Sequence, residues 1–538
     1  MKIRNTRYRV GTIVLTAVTT IALSLSSCNK ITDLQPSNSF SEETAFSSPA
    51  RAELAMAGVY DAAQSGFFTG GLPGGISRGY PFGAASTEQG DMRGEDMMNV
   101  ATFYAITHEG LYNVTTANNV FHWETLFALI NRANVVIEGM ITAGSSNVIT
   151  PAKAIEYQAE ARFLRAMAYQ ELLIHFARPY NHTADASHPG LPYKIIAVNS
   201  PTRVDEAKSQ GRNTVKECYD KLLEDLNFAE TNLPATRVGS LKVSRATKGA
   251  AIALKVRAYL NIGNWANVIT ESDKIVQGTT SFTSSIGAYA LTASPVGPFT
   301  SPAANLTNTE SIISMENSTT DNAGTNGSIG QMYSKSPGRG LVAISPIIWN
   351  AAFWTQNDLR RTLLATSNLR AFFSTKYTDF VTFTDANPLM RYSEVLLSRA
   401  EAYARLTPLD TRALALLNAV RNRSVTTLVD QFTVASFITG TQLMQAILNE
   451  RRIEFLAEGR RWADIHRLAN DPLYSTNGIP AKIAYTGTTF ASWNAAVPYA
   501  GLRIITSIPY TDFRFIWPIP QTEVASNPVL AAQQNPGY

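Results

Sequence analysis

The chain has 538 residues, 45% hydrophobic and only 16% charged, enough to bury a large core and to fill one large or two ordinary domains. Its formal charge of +4 comes entirely from Lys2, Arg4, Arg7 and Arg9, and the remaining basic residues balance the 42 acidic ones. This removes the electrostatic case for nucleic acid as a partner. With two cysteines, Cys28 and Cys218, a disulfide scaffold is excluded.

Residues 1–9 are basic, and residues 10–25 form an apolar run diluted by Thr12, Thr16, Thr19, Thr20 and Ser24. The run is too short and too hydroxylated for a membrane span and fits an export signal. It ends Leu25-Ser26-Ser27-Cys28, which resembles the bacterial lipobox. The resemblance makes residues 1–27 a lipoprotein signal peptide and Cys28 the acylated mature N-terminus, held to a membrane by several chains. The other reading is an ordinary signal followed by a chance cysteine. Residues 28–46 are polar, hold Pro36, and read as anchor and tether.

Ser47-Ser48-Pro49 predicts a helix start, with a stop at Gly66. Residues 66–100 carry Gly-Gly, Pro-Gly-Gly and Arg-Gly pairs and read as a long loop of the kind that is usually functional. Its Asp91, Glu95 and Asp96 lack EF-hand spacing and read as a solvated acidic stretch. Helices are predicted over 121–141, 159–176, 214–233, 245–262, 265–276, 390–405 and 409–423. Cys218, in the apolar pattern of Val215, Tyr219, Leu222 and Leu226, reads as a core thiol.

Ala-Tyr pairs end RAMAY (165–169), VRAY (256–259) and AEAY (400–403). Such alternation of small and large residues lets paired helices pack closely, as in tetratricopeptide repeats. The spacings are unequal, so the prediction is a mainly α chain of tetratricopeptide-like helix pairs with long irregular loop insertions. Residues 279–348 shift to Ser, Thr, Asn, Gly and Pro and read mostly as loop with some short strands.

Residues 449–468, NERRIEFLAEGRRWADIHRL, are predicted as one central helix. Met444, Ile447, Leu448, Phe455, Trp462 and Ile465 share a narrow face. Arg451 and Glu458 fall within it and Glu454 lies at its edge, so these charges must be paired, Glu458 with Arg451. Gly459 beside the stripe would let another backbone come close. Carboxylates at 450, 454 and 458 also suit a metal or acid/base role. The surrounding arginines, and the lack of a histidine three residues beyond any of these glutamates, favour structural pairs.

ERRIEFLAEGRRWADIHR resembles the signature of the SusD/RagB family, surface lipoproteins of Bacteroidetes that capture nutrients. Other stretches agree: Asn131-Arg132-Ala133-Asn134, the RAMAY helix, Asp358-Leu359-Arg360-Arg361, and the ending from Phe515 through Glu523 to Tyr538. The segment ARPYNHTADASHPGLPY after Phe176 departs from the family pattern. The resemblance divides the chain into an N-terminal helical region, 47–278, and a C-terminal region, 279–538. It implies an outer-membrane, outward-facing lipoprotein that binds oligosaccharide or peptide and delivers it to a SusC-like TonB-dependent outer-membrane transporter.

No Gly-x-Ser-x-Gly, His-Glu-x-x-His, phosphate loop or dinucleotide pattern is present, and the six histidines show no metal-ligand spacing. No catalytic residue, cofactor or metal is assigned. Sugar binding needs aromatic faces and polar side chains, and the loops offer Arg78, Tyr80, Phe82, Asn99, Phe103, Tyr104, Tyr112, Tyr333, Trp349 and Trp354, with the two tryptophans foremost. Half-buried packing is the competing role for each. Two other functions stay open: a surface glycoside hydrolase, whose two carboxylates need no motif, and a helical-repeat adaptor for proteins.

Overall fold

The computed structural model describes residues 42–65 and 79–538. Cys28 and Arg78 lie outside them. Helix α1, Pro49–Ser65, begins where Ser48 Oγ accepts the Arg51 N–H. α2 is Ala84–Met92, α3 Ala117–Ser145 and α4 Pro151–Phe176. Thr150 caps α4, whose first residue is proline. α5, Val215–Asn232, opens on a capping box between Thr214 and Glu217. α6, Lys248–Ile262, turns through Gly263 at φ 78° into α7, Trp265–Asp273. α8, Tyr392–Leu406, pairs with α9, Thr411–Arg421, and α10 is Gly440–Glu454.

α1 packs on α3, α3 on α4, α4 on α5, α5 on α6, α6 on α7, α7 on α8 and α8 on α10. The repeat-like chain of helix pairs is therefore observed. Its largest core runs from Ala52 to Ile519, so the halves 47–278 and 279–538 are sewn together by a common interior. The C-terminal Trp517 and Ile519 lie in that interior.

A second core packs against a small antiparallel sheet, ordered β1-β3-β5-β4. Its strands are β1, Met97–Asn99, β3, Val342–Ile344, β4, Ala365–Ser367, and β5, Phe372–Ser374. Strand β2, Ser311–Met315, pairs antiparallel with β6, Asn387–Arg391, and all ten residues are buried. The stretch 279–348 thus supplies interior strands, and it is less loop-like than its composition implies.

Two expectations are corrected. The first is the solvated loop at 66–100: its described part, from Gly79 onward, is almost wholly buried and includes α2 and β1. α2 reads AASTEQGDM, with few large apolar residues, and is held inside by Asp91, which accepts from Tyr333 and from the Gly459 N–H, and by the two acids that follow the helix. Arg461 Nη2 reaches Glu95 at 2.7 Å, and Arg452 pairs with both Glu95 and Asp96. Burial alone would raise the Glu95 carboxyl, but these two guanidiniums outweigh it and hold it down to about 2.

The second is the continuous helix over 449–468. α10 stops at Glu454, and α11 spans Arg461–Arg467. Between them Ala457 and Gly459 take φ of 63° and 70°. The backbone that approaches Gly459 is that of Thr87 in α2, so the helix gives way to let α2 in.

Candidate functional site

Around this break lies a buried ionic frame. Glu450 accepts from Arg360 at 2.6 Å and lies 3.3 Å from Arg421. Glu454 meets Arg423 at 2.5 Å, Arg391 at 2.8 Å and Arg360 at 3.0 Å. Glu458 meets Lys376 at 2.5 Å and Arg391 at 2.7 Å. Arg451 turns instead to Asp464, at 2.9 Å, so the expected Glu458–Arg451 pair is replaced: the break after Glu454 points the two side chains to different partners. With each carboxylate matched to arginine or lysine, the three glutamates act as ties between β6, α9, α10 and the turn, and none is left for acid/base work.

Of the aromatic residues singled out from the sequence, Tyr80, Tyr104, Tyr333, Trp349 and Trp354 gather in the second core, and Phe82 and Tyr112 in the first. All seven are at most 6% exposed, so the expected open stacking faces are filled by packing. Tyr333 donates to Asp91 at 2.6 Å, and Tyr80 accepts from Gln89 at 3.1 Å. Asn99 ends β1, half-buried, and Phe103 lies in the turn Thr102–Tyr104.

The second core nonetheless extends to the surface through aromatic rings. Trp349 stacks on Phe372 at 3.9 Å, and Phe372 on Phe490 at 5.6 Å, both nearly parallel. Phe490 is 39% exposed. Beside the column the exposed Arg370 lies over the half-buried Tyr485 ring at 4.5 Å. The loop carrying Phe490 is fixed: Asn350 Nδ2 donates to Ser492 O and Asn350 Oδ1 accepts the Asn494 N–H, each at 2.9 Å, while Trp493 Nε1 donates to Ile344 O. At the inner end, Arg361 sits against both Trp349 and Trp354, binding the carbonyls of Thr355 and Trp354. Phe372, Tyr485 and Phe490 escaped the sequence reading, although residues 485–501 set three aromatics besides Trp493 among Thr, Gly, Asn and Pro, a usable signal.

One group among the described residues is close enough to share a metal ion: His122, Glu171 and His175. Arg93 Nη1 lies 3.2 Å from His175 Nδ1. Arginine only donates, so Nδ1 accepts and Nε2, 3.3 Å from Glu171 Oε1, carries the proton. In this tautomer His175 has no lone pair for a metal.

The model of the SusD family matches residues 365–538, and one described as starch-binding, associating with outer membrane, matches residues 80–260. A crystal structure of a SusD superfamily protein from Bacteroides fragilis superposes with a TM-score of 0.72 at 26% identity, covering 90% of this chain and 99% of that one. The chain belongs to the SusD/RagB family. SusD-like protein P38 of Formosa agariphila is 25% identical over 498 residues, covering 82% of this chain and 88% of that protein. A laminarin-binding SusD-like protein, 21% identical, shares the SusD fold, with a TM-score of 0.63 over 91% of this chain and all of its own.

Proposed function

We propose that this SusD/RagB chain is a lipoprotein anchored to the outer membrane through Cys28 and facing outward. It captures oligosaccharide and passes it, uncleaved, to a SusC-like TonB-dependent transporter. The observation that carries the binding role is the Trp349–Phe372–Phe490 column, which ends in an accessible ring on a fixed loop. Sugar rings offer flat C–H faces that stack on such a ring, while their hydroxyls take side chains like Arg370 and Asn494. A platform already in place loses little ordering entropy on binding. The starch-binding description and the laminarin-binding neighbour support a carbohydrate ligand. That the neighbour is named for binding and not for cleavage supports a non-enzymatic role.

A glycan array probed with the soluble chain beginning after Cys28 tests this. The expected result is retention on an oligosaccharide with no new reducing ends. Binding to peptides alone would replace the ligand class, and hydrolysis products would make the protein a glycosidase.

A further inference from the structure

The stretches that build the aromatic column carry charge of one sign. Residues 322–357 supply β3 and Trp349, 359–378 supply β4, β5 and Phe372, and 472–511 supply Tyr485 and Phe490. They hold eight lysines and arginines and no aspartate or glutamate, although the two signs balance over the chain beyond its first nine residues. A wall lined by one sign concentrates ligands of the other.

Two of the eight cations are cancelled by acids from outside these stretches. Arg360 meets Asp358 at 2.7 Å, and Lys376 meets Glu458 at 2.5 Å. Others keep their charge beside the column. Lys335 Nζ donates to Ser367 O at 2.8 Å, and Ser367 pairs in register with Phe372. Arg503 is exposed two residues before Ile505, which bridges to Lys482 on the strand leading to Tyr485. Among the described residues, Lys335, Arg370 and Arg503 form no ion pair.

Arg370 is the most telling of them. The Tyr485 ring, 4.5 Å away, fixes where its guanidinium stands. Its N–H donors bond no other group among the described residues. A guanidinium held in place with its fork open matches an oxyanion in two parallel hydrogen bonds. Cations held by a ring or a carbonyl next to a stacking face suit an anionic sugar better than a membrane surface, which needs no such ordering.

We infer that the oligosaccharide taken at this face is acidic, with carboxylate or sulfate groups that meet Arg370 and Arg503 while a sugar ring stacks on Phe490. The inference rests on the column being the glycan face.

Calorimetric titration of the soluble chain tests it with tetragalacturonate, its methyl ester, a carrageenan tetrasaccharide, its desulfated form and laminaritetraose. At least one acidic probe should bind about tenfold or more tightly than its own neutral counterpart, by a margin that shrinks as salt rises. Which of the two acids binds tighter tells carboxylate from sulfate. Arg370→Gln and Arg503→Gln should each narrow that margin about threefold or more with the melting temperature unchanged, since both side chains are exposed. Failure of both acidic probes to bind, equal affinity for the neutral forms, or an undiminished margin in both variants would overturn the acidic ligand. Laminaritetraose bound as tightly would do so too, yet would leave the column as the glycan face. Loss of every oligosaccharide, those of the array included, would remove that face itself. Equal affinity for a polyglutamate peptide would overturn the sugar, and preference for phosphatidylserine vesicles would assign the charge to the membrane.

Discussion

Gly90 and Gly459 meet backbone to backbone: a Cβ built on Gly90 would stand 2.2 Å from Gly459 O. This contact locks α2 onto the turn between α10 and α11, and the turn itself uses the left-handed φ of Gly459. Nearby, Asp91 Oδ1 accepts the Gly459 N–H at 3.1 Å. Gly90→Ala must push the two segments apart and should cost about 1–3 kcal/mol, as overpacking does. Urea unfolding of the soluble chain measures it, and an unchanged midpoint would show that the two backbones are not in contact.

The ionic frame makes a second demand. Glu458 is the shared acceptor of Lys376 and Arg391, all three nearly inaccessible. Glu458→Gln leaves two buried cations short of a carboxylate and should destabilise by about 3 kcal/mol or more. Stability equal to the parent's in urea would mean that water reaches the frame.

A third expectation concerns pH. Burial lifts the Asp91 carboxyl to about 7, against the hydrogen bonds of Tyr333 and Gly459 that pull it down. An unfolded aspartate titrates near 3.9. Between those values the folded chain keeps a proton that the unfolded chain has released. The contribution is thus fully present below about pH 4 and is lost as pH rises through about 7. Asp91→Asn removes this dependence, so its stability relative to the parent should rise by up to about 4 kcal/mol between about pH 4 and pH 8. Parallel urea titrations that stay a constant distance apart would refute the assignment.

The helical frame was readable because period and caps coincide. Thr214 with Glu217 and Gly263 mark helix ends in sequence and do so in the fold. The pairing of Glu454 and Glu458 with basic residues followed from their place on an apolar stripe, but their partners did not. Arg391 and Lys376 lie more than sixty residues away, and only the tertiary path brings them in. The break at 455–460 was illegible because α2, a short run of small and polar residues, looked like loop. The aromatic residues failed differently: a ring's identity is written in sequence, whereas its exposure depends on what stacks over it. Trp349 is covered by Phe372, and Phe490 takes the outer position.

The proposed anchor has a direct test. If Cys28 is acylated, Cys28→Ala should move the protein from the membrane fraction to the soluble one. Persistence in the membrane fraction would place the anchor elsewhere.

The last prediction separates binding from packing along the aromatic column. Trp349 is 6% exposed and Phe490 39%, so truncating them should have opposite consequences. Trp349→Ala empties part of the second core and should cost about 3–5 kcal/mol of stability. Phe490→Ala removes an outer ring and should cost well under that, while weakening oligosaccharide binding by about 1–2 kcal/mol, roughly five- to thirtyfold. The loop should survive the change, because its anchors at Asn350, Ser492 and Trp493 do not involve the Phe490 ring. Calorimetric titration with the oligosaccharide retained on the array, run beside thermal unfolding, reads both quantities. Unchanged affinity in Phe490→Ala with a lowered melting temperature would make this ring another packing residue and move the ligand face elsewhere.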